Sequence, residues 1–255
     1  ERSKREFEND IFAGLKWLGM EWDEGPIPGS DGYSGPFGPY RQSERGEIYE
    51  GYIRKMVDED KAYRCFCSPE DLEAQRQYQM GRGEAPKYAK TCSDLTKGEA
   101  GKREAEGERS VIRLRVPPKK MRFKDLVRGD VEIDSDTIGD IVIAKDIKNP
   151  LYNLAVVIDD FEMKVSHVIR GEDHISNTPK QMIIAEALGL PHPTYAHLPL
   201  VLGPDKSKMS KRHGAVSVTE YKKEGYLPEA MVNFMAFLGW NPGTEKEHYS
   251  MDSLI

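Results

Sequence analysis

The feature that most constrains the fold is an alternation of strand-like and helix-like segments over residues 151–203. LYNLAVVID and KVSHVIRGED have the apolar content of buried strands, a helix is predicted over 178–189, and HLPLVLG is typical of a further strand. Strands that alternate with helices favour a parallel sheet covered by helices, whose ligands bind at the carboxyl ends of the strands. The sequence therefore predicts an α/β fold with its site at that edge.

The segments on either side of this alternation differ from it. The N-terminal part has two amphipathic helical patterns around a Gly/Pro-rich loop, and capping-box patterns at Ser68–Asp71 and Ser217–Glu220 predict two helix starts. The region between the first capping box and residue 150 has short alternating runs, typical of antiparallel strands with one wet face. We therefore predict four segments: the α/β domain in two parts, a strand-rich α+β insertion, and a helical segment. Their ranges are 1–61 and 151–215, 62–150, and 216–255.

Composition excludes several classes of protein. With 43 acidic and 37 basic residues the net charge is -6, so bulk charge does not favour binding to DNA or to other polyanions, and RNA contacts need local basic strips. The longest stretch without a charged residue, 187–204, contains four prolines and two histidines, which excludes a membrane span. Three cysteines without a secretory signal indicate a reducing compartment, and the cytoplasm is expected.

DKSKMSKRHG, residues 205–214, is the densest basic stretch in an acidic chain. Two interpretations are open: a solvated turn, or a loop that holds a polyphosphate. The stretch follows the predicted strand HLPLVLG, which would place it at the ligand-binding edge of the sheet and favours the phosphate interpretation. Such cations can stabilise the charge that develops on a leaving pyrophosphate. They are Lys206, Lys208, Lys211 and Arg212.

A second polar cluster, VIRGEDHISNTP, begins where another apolar strand is predicted to end. One interpretation is a capped loop with internal ion pairs. The other is a ligand site, in which the planar Arg170 guanidinium binds a carboxylate and Asp173 and His174 hold a ribose or a nucleobase. Tyr152 lies in the neighbouring predicted strand, where a single tyrosine is more often part of the core than a ligand contact.

The cysteines are arranged as Cys65-x-Cys67 followed by Cys92. Two cysteines separated by a single residue and followed by a third cysteine offer three thiolate ligands, which favours a structural zinc site. The fourth ligand is open: Asp94, which repeats the spacing of the first cysteine pair, is the first candidate, and Tyr88 and a water molecule are weaker ones. The competing interpretation is three buried free thiols.

Several of these stretches, in order along essentially the whole chain, resemble the bacterial glutamyl-tRNA synthetases, which are class I aminoacyl-tRNA synthetases. DKSKMSKRHG is similar to the second signature loop of that class. The other matching stretches are GPYRQSER, CFCSPEDL, LYNLAVVIDD, VIRGEDHISNTPKQ and GYLPEAMVNFMAFLGW.

The resemblance implies a Rossmann-like catalytic domain that makes glutamyl-adenylate from glutamate and ATP and passes the glutamyl group to the 3′ end of tRNA(Glu). By motif position, Tyr152 and Arg170 correspond to glutamate-binding residues. Contacts to ATP are implied for Asp173, His174, Val201 and Lys211.

The resemblance also implies the remaining partners. Lys211 would meet the phosphates with assistance from Lys208, and Mg²⁺ would accompany ATP, held mainly by phosphates and water. The insertion at 62–150 would grip the tRNA acceptor end, braced by Zn²⁺, and the segment after 216 would open a module that contacts the tRNA stem. A monomeric, cytoplasmic enzyme without a membrane partner is expected.

Two other functions are compatible with the sequence. A paralogue of the synthetase activates glutamate but modifies an anticodon base of tRNA, and the intact KMSKR stretch favours the synthetase over it. A non-catalytic, zinc-braced RNA-binding module is the alternative that is not an enzyme.

The other signature of the class, a His-Ile-Gly-His-like turn, does not occur in the chain, and the family continues beyond Ile255 into an anticodon-binding domain. We therefore expect residue 1 to lie just after the first strand-helix-strand unit of the family. The 255 residues would then hold half of an ATP site and would not form the adenylate alone. ATP-pyrophosphate exchange by the isolated chain would contradict this expectation.

Overall fold

The computed structural model of the chain describes residues 4–203, 205–208 and 217–255. The chain forms two compact units. The larger comprises residues 41–197, and the smaller comprises residues 1–40 and 198–255.

The described residues form the following α-helices and strands. The helices are α1 (Arg5–Trp17), α2 (Gly46–Asp58), α3 (Pro69–Gly81), α4 (Lys97–Ala105), α5 (Tyr152–Glu162), α6 (Thr178–Leu188), α7 (Val218–Lys223), α8 (Pro228–Ala236) and α9 (Met251–Leu254). The strands are β1 (Gly25–Pro26), β2 (Tyr33–Ser34), β3 (Ala62–Cys65), β4 (Val111–Leu114), β5 (Lys120–Asp125), β6 (Gly129–Asp134), β7 (Val142–Asp146), β8 (Asn149–Pro150), β9 (His167–Gly171) and β10 (Thr194–Leu198). In the part of the chain described, no helix is long and apolar enough to cross a membrane.

One sheet of the larger unit has the strand order β6-β5-β10-β9. β10 pairs in parallel with β5, with Tyr195 opposite Asp125, and β5 pairs with β6 as an antiparallel hairpin. Because β9 and β10 are joined through α6, the chain crosses over between these two neighbouring strands. The predicted α/β class with parallel pairing in the sheet is confirmed.

The second sheet has the order β3-β4-β7-β8 and is antiparallel throughout. Its apolar side chains Ile112, Leu114 and Ile143 are fully buried. In β6, of the first sheet, half-buried and exposed residues alternate along the strand. The antiparallel strands expected before residue 150 are thus confirmed, and β5 and β6 share a sheet with β9 and β10 rather than forming a sheet of their own.

The core of the larger unit lies where α2, α5 and α6 pack together beside the sheets. The interface also contains a polar connection. Arg45, just before α2, donates from Nε to Oδ1 of Asp159 in α5 at 2.6 Å, and the Tyr49 hydroxyl donates to the same carboxylate at 2.7 Å. Since the side chains of Arg45 and Asp159 are 1% and 16% exposed, this ion pair is largely shielded from water and constrains how the two helices meet.

The predicted strand LYNLAVVID is wrong, because this stretch forms α5. Its buried residues are Leu154, Ala155, Val157 and Ile158, which have helical spacing. A short apolar run fits a buried strand as well as a buried helix, and periodicity alone does not separate them. Tyr152 is therefore the first residue of a helix and not part of a strand.

The strand predicted for HLPLVLG is displaced. The observed strand β10 starts earlier and ends at Leu198, so only its last two residues fall in the predicted segment. Pro199 has no backbone N–H to donate to a ladder, which explains why regular pairing stops there.

Local helix signals are reproduced closely. Ser68 and Asp71 form the expected capping box at the start of α3, and Ser217 and Glu220 form the one before α7. Gly189 ends α6 with φ of 71°, a left-handed conformation that glycine adopts at low cost.

The described parts of the smaller unit contain helices α1, α7, α8 and α9 and the short antiparallel pair of β1 and β2. Leu18, after α1, is buried together with Met231 and Val232 of α8. Gly14 of α1 has its Cα facing Val218 of α7, and a Cβ on this glycine would lie 3.8 Å from the valine side chain. Close packing of α1 with α7 therefore joins the two ends of this unit's sequence.

We predict that Asp159→Ala lowers the free energy of unfolding by about 3 kcal/mol, because it removes the carboxylate that Arg45 and Tyr49 share. Urea denaturation followed by circular dichroism measures the change. The matched control is Glu50→Ala, which breaks an exposed ion pair with Arg54 on α2 and should cost less than about 1 kcal/mol. Equal effects of the two substitutions would contradict the prediction.

Candidate functional site

Arg170 lies near the carboxyl end of β9 with its side chain half-buried. Its Nη2 donates to Oγ1 of Thr178 and to Oε1 of Gln181, both at 2.8 Å, and its Nε donates to Nε2 of His197 at 3.2 Å. Within the described ranges, its third nitrogen, Nη1, makes no hydrogen bond to the chain. The guanidinium is therefore held along one edge, and a second edge is available to an anion.

Behind Arg170 lies a buried carboxylate-imidazole pair. Oδ2 of Asp125 is 2.5 Å from Nδ1 of His197, and the two side chains are 1% and 0% exposed. Asp125 also accepts hydrogen bonds from the backbone amides of Val127 and Arg128. Burial alone would raise the pKa of Asp125, but the hydrogen bonds from His197 and these amides outweigh it and lower the pKa to about 2. Asp125 is thus a carboxylate at neutral pH.

Strand pairing explains how this pair forms. Asp125 ends β5, where the chain turns into β6 through Gly129 with φ of 75°. The amide of Leu126 donates to the carbonyl of Tyr195 at 2.9 Å, which extends the parallel pairing of β5 and β10 by one residue. His197, two residues further along β10, is then brought beside the Asp125 carboxylate.

Tyr152 and His174 lie close to each other. The Tyr152 hydroxyl is 3.4 Å from Nδ1 of His174, and their ring centroids are 5.8 Å apart. The neighbouring Asn153 accepts a hydrogen bond at 3.1 Å from Gln181, which is itself bonded to Arg170. The structure therefore brings Tyr152 and His174 together and connects the start of α5 to Arg170 through Asn153 and Gln181. Because Tyr152 is 48% exposed, the interpretation as a core residue is wrong. Asp173 lies exposed next to His174 in a 3-10 helix, Glu172–Asn177.

The Arg170 charge also affects the carboxyl group of Asp160. Burial raises the pKa of Asp160, in α5, to about 6, although the positive charge of Arg170 opposes the shift. The Arg170 guanidinium lies 5.7 Å from the centroid of the Tyr195 ring. The Arg170 charge thus favours the ionised form of the Asp160 carboxyl group, while burial disfavours it.

The sequence did not single out Asp125, His197, Thr178, Gln181 or Asn153. Two features of the sequence weakly indicated residues of this group. His197 interrupts the apolar strand, and Gln181 lies on a helix whose neighbours Met182, Ile183 and Ile184 are all buried. A polar side chain at a core position has to be hydrogen-bonded, and such residues are candidates for a supporting network.

The smaller unit carries the start of the basic stretch. Leu202 and Lys208 form an isolated antiparallel bridge, and the amide of Gly203 donates to the carbonyl of Ser207 at 2.8 Å. The Asp205 carboxylate accepts from the amide and the hydroxyl of Ser207 at 3.0 and 2.8 Å. A tight turn therefore begins this stretch. Val201, just before it, is 40% exposed, and Lys211 lies outside the described residues.

The three cysteines converge. The sulfur atoms of Cys65, Cys67 and Cys92 all lie within 4.8 Å of one another, and the last two are 3.7 Å apart. The Tyr88 hydroxyl lies 3.2 Å from the Cys65 sulfur and 3.5 Å from the Cys67 sulfur. Asp94 does not contribute a ligand atom to this cluster, and its carboxylate accepts a hydrogen bond from Ser93 at 3.1 Å.

Electrostatics around the thiols differ from one sulfur to the next. Burial alone would raise the pKa of Cys65, but hydrogen bonds from Tyr88 and Arg113 outweigh it and lower the pKa. Burial and the nearby Cys65 sulfur raise the pKa of Cys67 to about 11. The Arg113 guanidinium stacks on the Tyr88 ring, 3.8 Å from its centroid. Crowding of three thiols makes full ionisation unfavourable unless a cation compensates the charge.

The donor set fits zinc. Tetrahedral zinc with Zn–S distances of about 2.3 Å requires sulfur atoms about 3.8 Å apart. The 3.7 Å separation between Cys67 and Cys92 agrees with that value, and the remaining pairs need only small movements. Disulfides are absent from the described part of the chain, so all three sulfurs are available as ligands.

Comparison with known sequences gives a consistent result. The profile of the family described as tRNA synthetases class I (E and Q), catalytic domain, matches residues 1–255. A glutamate–tRNA ligase of Natranaerobius thermophilus is 52% identical over 255 residues, which are 100% of this chain and 51% of the relative. The glutamate–tRNA ligase of Carboxydothermus hydrogenoformans is 50% identical over 256 residues, or 100% of this chain and 52% of the relative.

Solved structures agree with the sequence comparison. A glutamate-tRNA synthetase from Elizabethkingia anophelis superposes with a TM-score of 0.83 at 36% identity, covering 97% of this chain and 54% of that protein. A glutamate tRNA ligase from Elizabethkingia meningosepticum, in complex with its amino acid, gives a TM-score of 0.81 at 36% identity, with 97% and 53% covered. The chain spans about half the length of the curated relatives it matches. It belongs, over its whole length, to the class I tRNA synthetase (E and Q) catalytic-domain family.

Proposed function

We propose that the natural protein containing this chain activates glutamate with ATP and transfers the glutamyl group to the 3′ end of tRNA(Glu). The observation that carries the proposal is the Arg170 guanidinium, held at the end of β9 with one edge available to an anion. The glutamate–tRNA ligases at 50 and 52% identity over the whole chain give the acidic amino acid as its ligand.

In this proposal Arg170 and Tyr152 bind glutamate. A guanidinium fits a carboxylate with paired hydrogen bonds, and the exposed Tyr152 hydroxyl, near His174, supplies a further polar contact. A hydrogen-bond network through Gln181 and Asn153 supports the two residues and limits movement of the guanidinium. A rigid cation loses little side-chain entropy when the substrate binds.

ATP is assigned to Asp173, His174, Val201, Lys208 and Lys211. The glutamate α-carboxylate oxygen forms a bond to the α-phosphorus, the bond from that phosphorus to the β-phosphate oxygen breaks, and pyrophosphate leaves with the electron pair. Lys211 and Lys208 stabilise the negative charge that accumulates on the leaving group. Mg²⁺ bound to the phosphates would shield the same charge. A hydroxyl oxygen of the terminal tRNA adenosine then forms a bond to the carbonyl carbon of the adenylate, the bond from that carbon to the phosphate oxygen breaks, AMP leaves with the electron pair, and the hydroxyl proton passes to water.

The insertion at 62–150 is proposed to grip the tRNA acceptor end, with a zinc ion held by Cys65, Cys67 and Cys92 as a brace. Asp94 is the fourth ligand proposed from the sequence, and Tyr88 is the candidate whose oxygen lies closest to the thiols. Zinc would supply structural stability and no chemistry of the reaction. The segment from 216 is proposed to contact the tRNA stem, and a cytoplasmic monomer is the proposed working form.

The glutamate-activating, tRNA-modifying paralogue and the RNA-binding module remain alternative functions. The names of the curated relatives favour the ligase over both. Charging of tRNA is the activity that separates them, because the paralogue and the binding module do not attach glutamate to the 3′ end of tRNA.

We predict that the full-length natural protein charges tRNA(Glu) with glutamate and that Lys211→Ala lowers kcat about 100-fold, because one donor to the developing pyrophosphate charge is lost. The measurement is incorporation of labelled glutamate into acid-precipitable tRNA. Lys206→Ala is the matched control, since it removes an equal charge from the same stretch and should change kcat less than about threefold. A wild-type protein that binds tRNA without charging it would contradict the proposed function.

For the metal, we predict one zinc ion per chain and its loss in Cys92→Ser, because two thiolates are too few to hold the ion tightly. Inductively coupled plasma mass spectrometry of the purified full-length protein measures the stoichiometry. Asp94→Asn and Tyr88→Phe are compared for zinc retention against a chelator. The substitution that weakens retention identifies the fourth ligand. A folded wild-type protein without metal would refute the zinc assignment.

A further inference from the structure

The hydrogen bond from Arg170 to His197 constrains the histidine. Nε of an arginine always carries a proton and has no acceptor capacity, so Nε2 of His197, 3.2 Å away, has to present its lone pair. The ring is then neutral with its proton on Nδ1, the nitrogen that faces Asp125 at 2.5 Å. Thr178 Oγ1, 3.2 Å from Nε2, can donate to the same lone pair.

Asp125 is suited to hold the ring in this form. Its carboxylate accepts from the amides of Val127, Arg128 and His197 in addition to the imidazole, so its position is fixed by the backbone. Both side chains are buried, and water cannot replace either partner. A fixed carboxylate that accepts from Nδ1–H selects one tautomer and one ring orientation.

The other tautomer would be incompatible with the observed Arg170 position. A proton on Nε2 would point at the Nε–H of Arg170, and two donors 3.2 Å apart repel each other. The guanidinium would have to rotate, which would also strain its bonds to Thr178 and Gln181. The orientation of Nη1, the nitrogen without a bond to the described chain, therefore depends on where the His197 proton lies.

We propose that Asp125 and His197 are positioning residues for Arg170, the carboxylate fixing the imidazole tautomer and the imidazole fixing the guanidinium edge that meets the anionic group of the amino acid. The inference deepens the proposed function and rests on it for the identity of the ligand. Asp125, His197 and Arg170 come from β5, β10 and β9, which are neighbouring strands of one sheet. The relay, meaning the hydrogen-bonded series from Asp125 through His197 to Arg170, is therefore built on rigid elements.

The direct test is Asp125→Asn in the full-length natural protein. The asparagine amide can donate to Nδ1 and thereby move the ring proton to Nε2, while the side chain keeps its size. The expected result is a rise of about tenfold in the KM for glutamate, since a charge-assisted hydrogen bond is misdirected, with the KM for ATP and kcat changed less than about threefold. Asp130→Asn, on the exposed face of the same hairpin, is the charge-matched control and should leave all three parameters unchanged.

A change in the KM for glutamate without a change in kcat distinguishes a positioning role of Asp125 from a role in stability. A purely structural role of Asp125 would reduce the folded fraction, and hence kcat, without changing the KM for glutamate. That outcome, or an unchanged KM in a folded variant, would overturn the proposal. Thermal unfolding followed by circular dichroism establishes whether the variant is folded.

A second measurement is made on the wild-type protein and does not depend on whether Asp125→Asn folds. Histidine ring ¹⁵N chemical shifts in the wild-type protein report which nitrogen carries the proton, and His197→Gln identifies the signal. A protonated Nδ1 with an unprotonated Nε2 is expected, and a protonated Nε2 would overturn the relay. If the wild-type protein does not charge glutamate, the proposed function and the ligand assigned to Arg170 fail together, whereas the ring shifts still decide the relay itself.

Discussion

The parallel pairing of β5 with β10 is the contact on which the candidate amino-acid site depends. It places a carboxylate and an imidazole, 72 residues apart in sequence, side by side in the buried interior. A carboxylate there would be costly without partners, but Asp125 receives hydrogen bonds from three amides and one ring nitrogen. The pairing therefore stabilises the buried charge and, through it, the orientation of a cation on β9.

Local sequence patterns predicted the helix ends, which depend only on neighbouring residues. The capping boxes at Ser68 and Ser217 and the glycine that ends α6 were predicted correctly, because such contacts span only a few positions. The stretch LYNLAVVID was predicted wrongly, because burial on several sides removes the periodicity that separates helix from strand. Arg170 was identified as a candidate, but its partners were not, since they are set by the order of strands in the sheet.

The cysteine cluster shows the same division between local and distant information. The spacing of Cys65, Cys67 and Cys92 indicated a metal site, and the sulfur atoms do converge. The Tyr88 hydroxyl lies 3.2 Å from the Cys65 sulfur, and its ring is stacked against Arg113 of β4, a residue from a different part of the chain. A fourth ligand that depends on such stacking cannot be deduced from cysteine spacing alone.

Arginine and lysine occupy different physical roles in the proposed reaction, and the structure gives a reason. A substrate carboxylate keeps its charge and position while it is bound, so a planar cation fixed by Thr178, Gln181 and His197 suits it. Charge on the phosphates moves from the reacting centre to the leaving group, and compact ammonium groups on long side chains can follow it. Fixing the first cation through buried hydrogen bonds requires a carboxylate behind it that stays ionised. That requirement explains why Asp125, which makes no contact with Arg170 itself, sits at the end of a strand with its oxygens surrounded by donors.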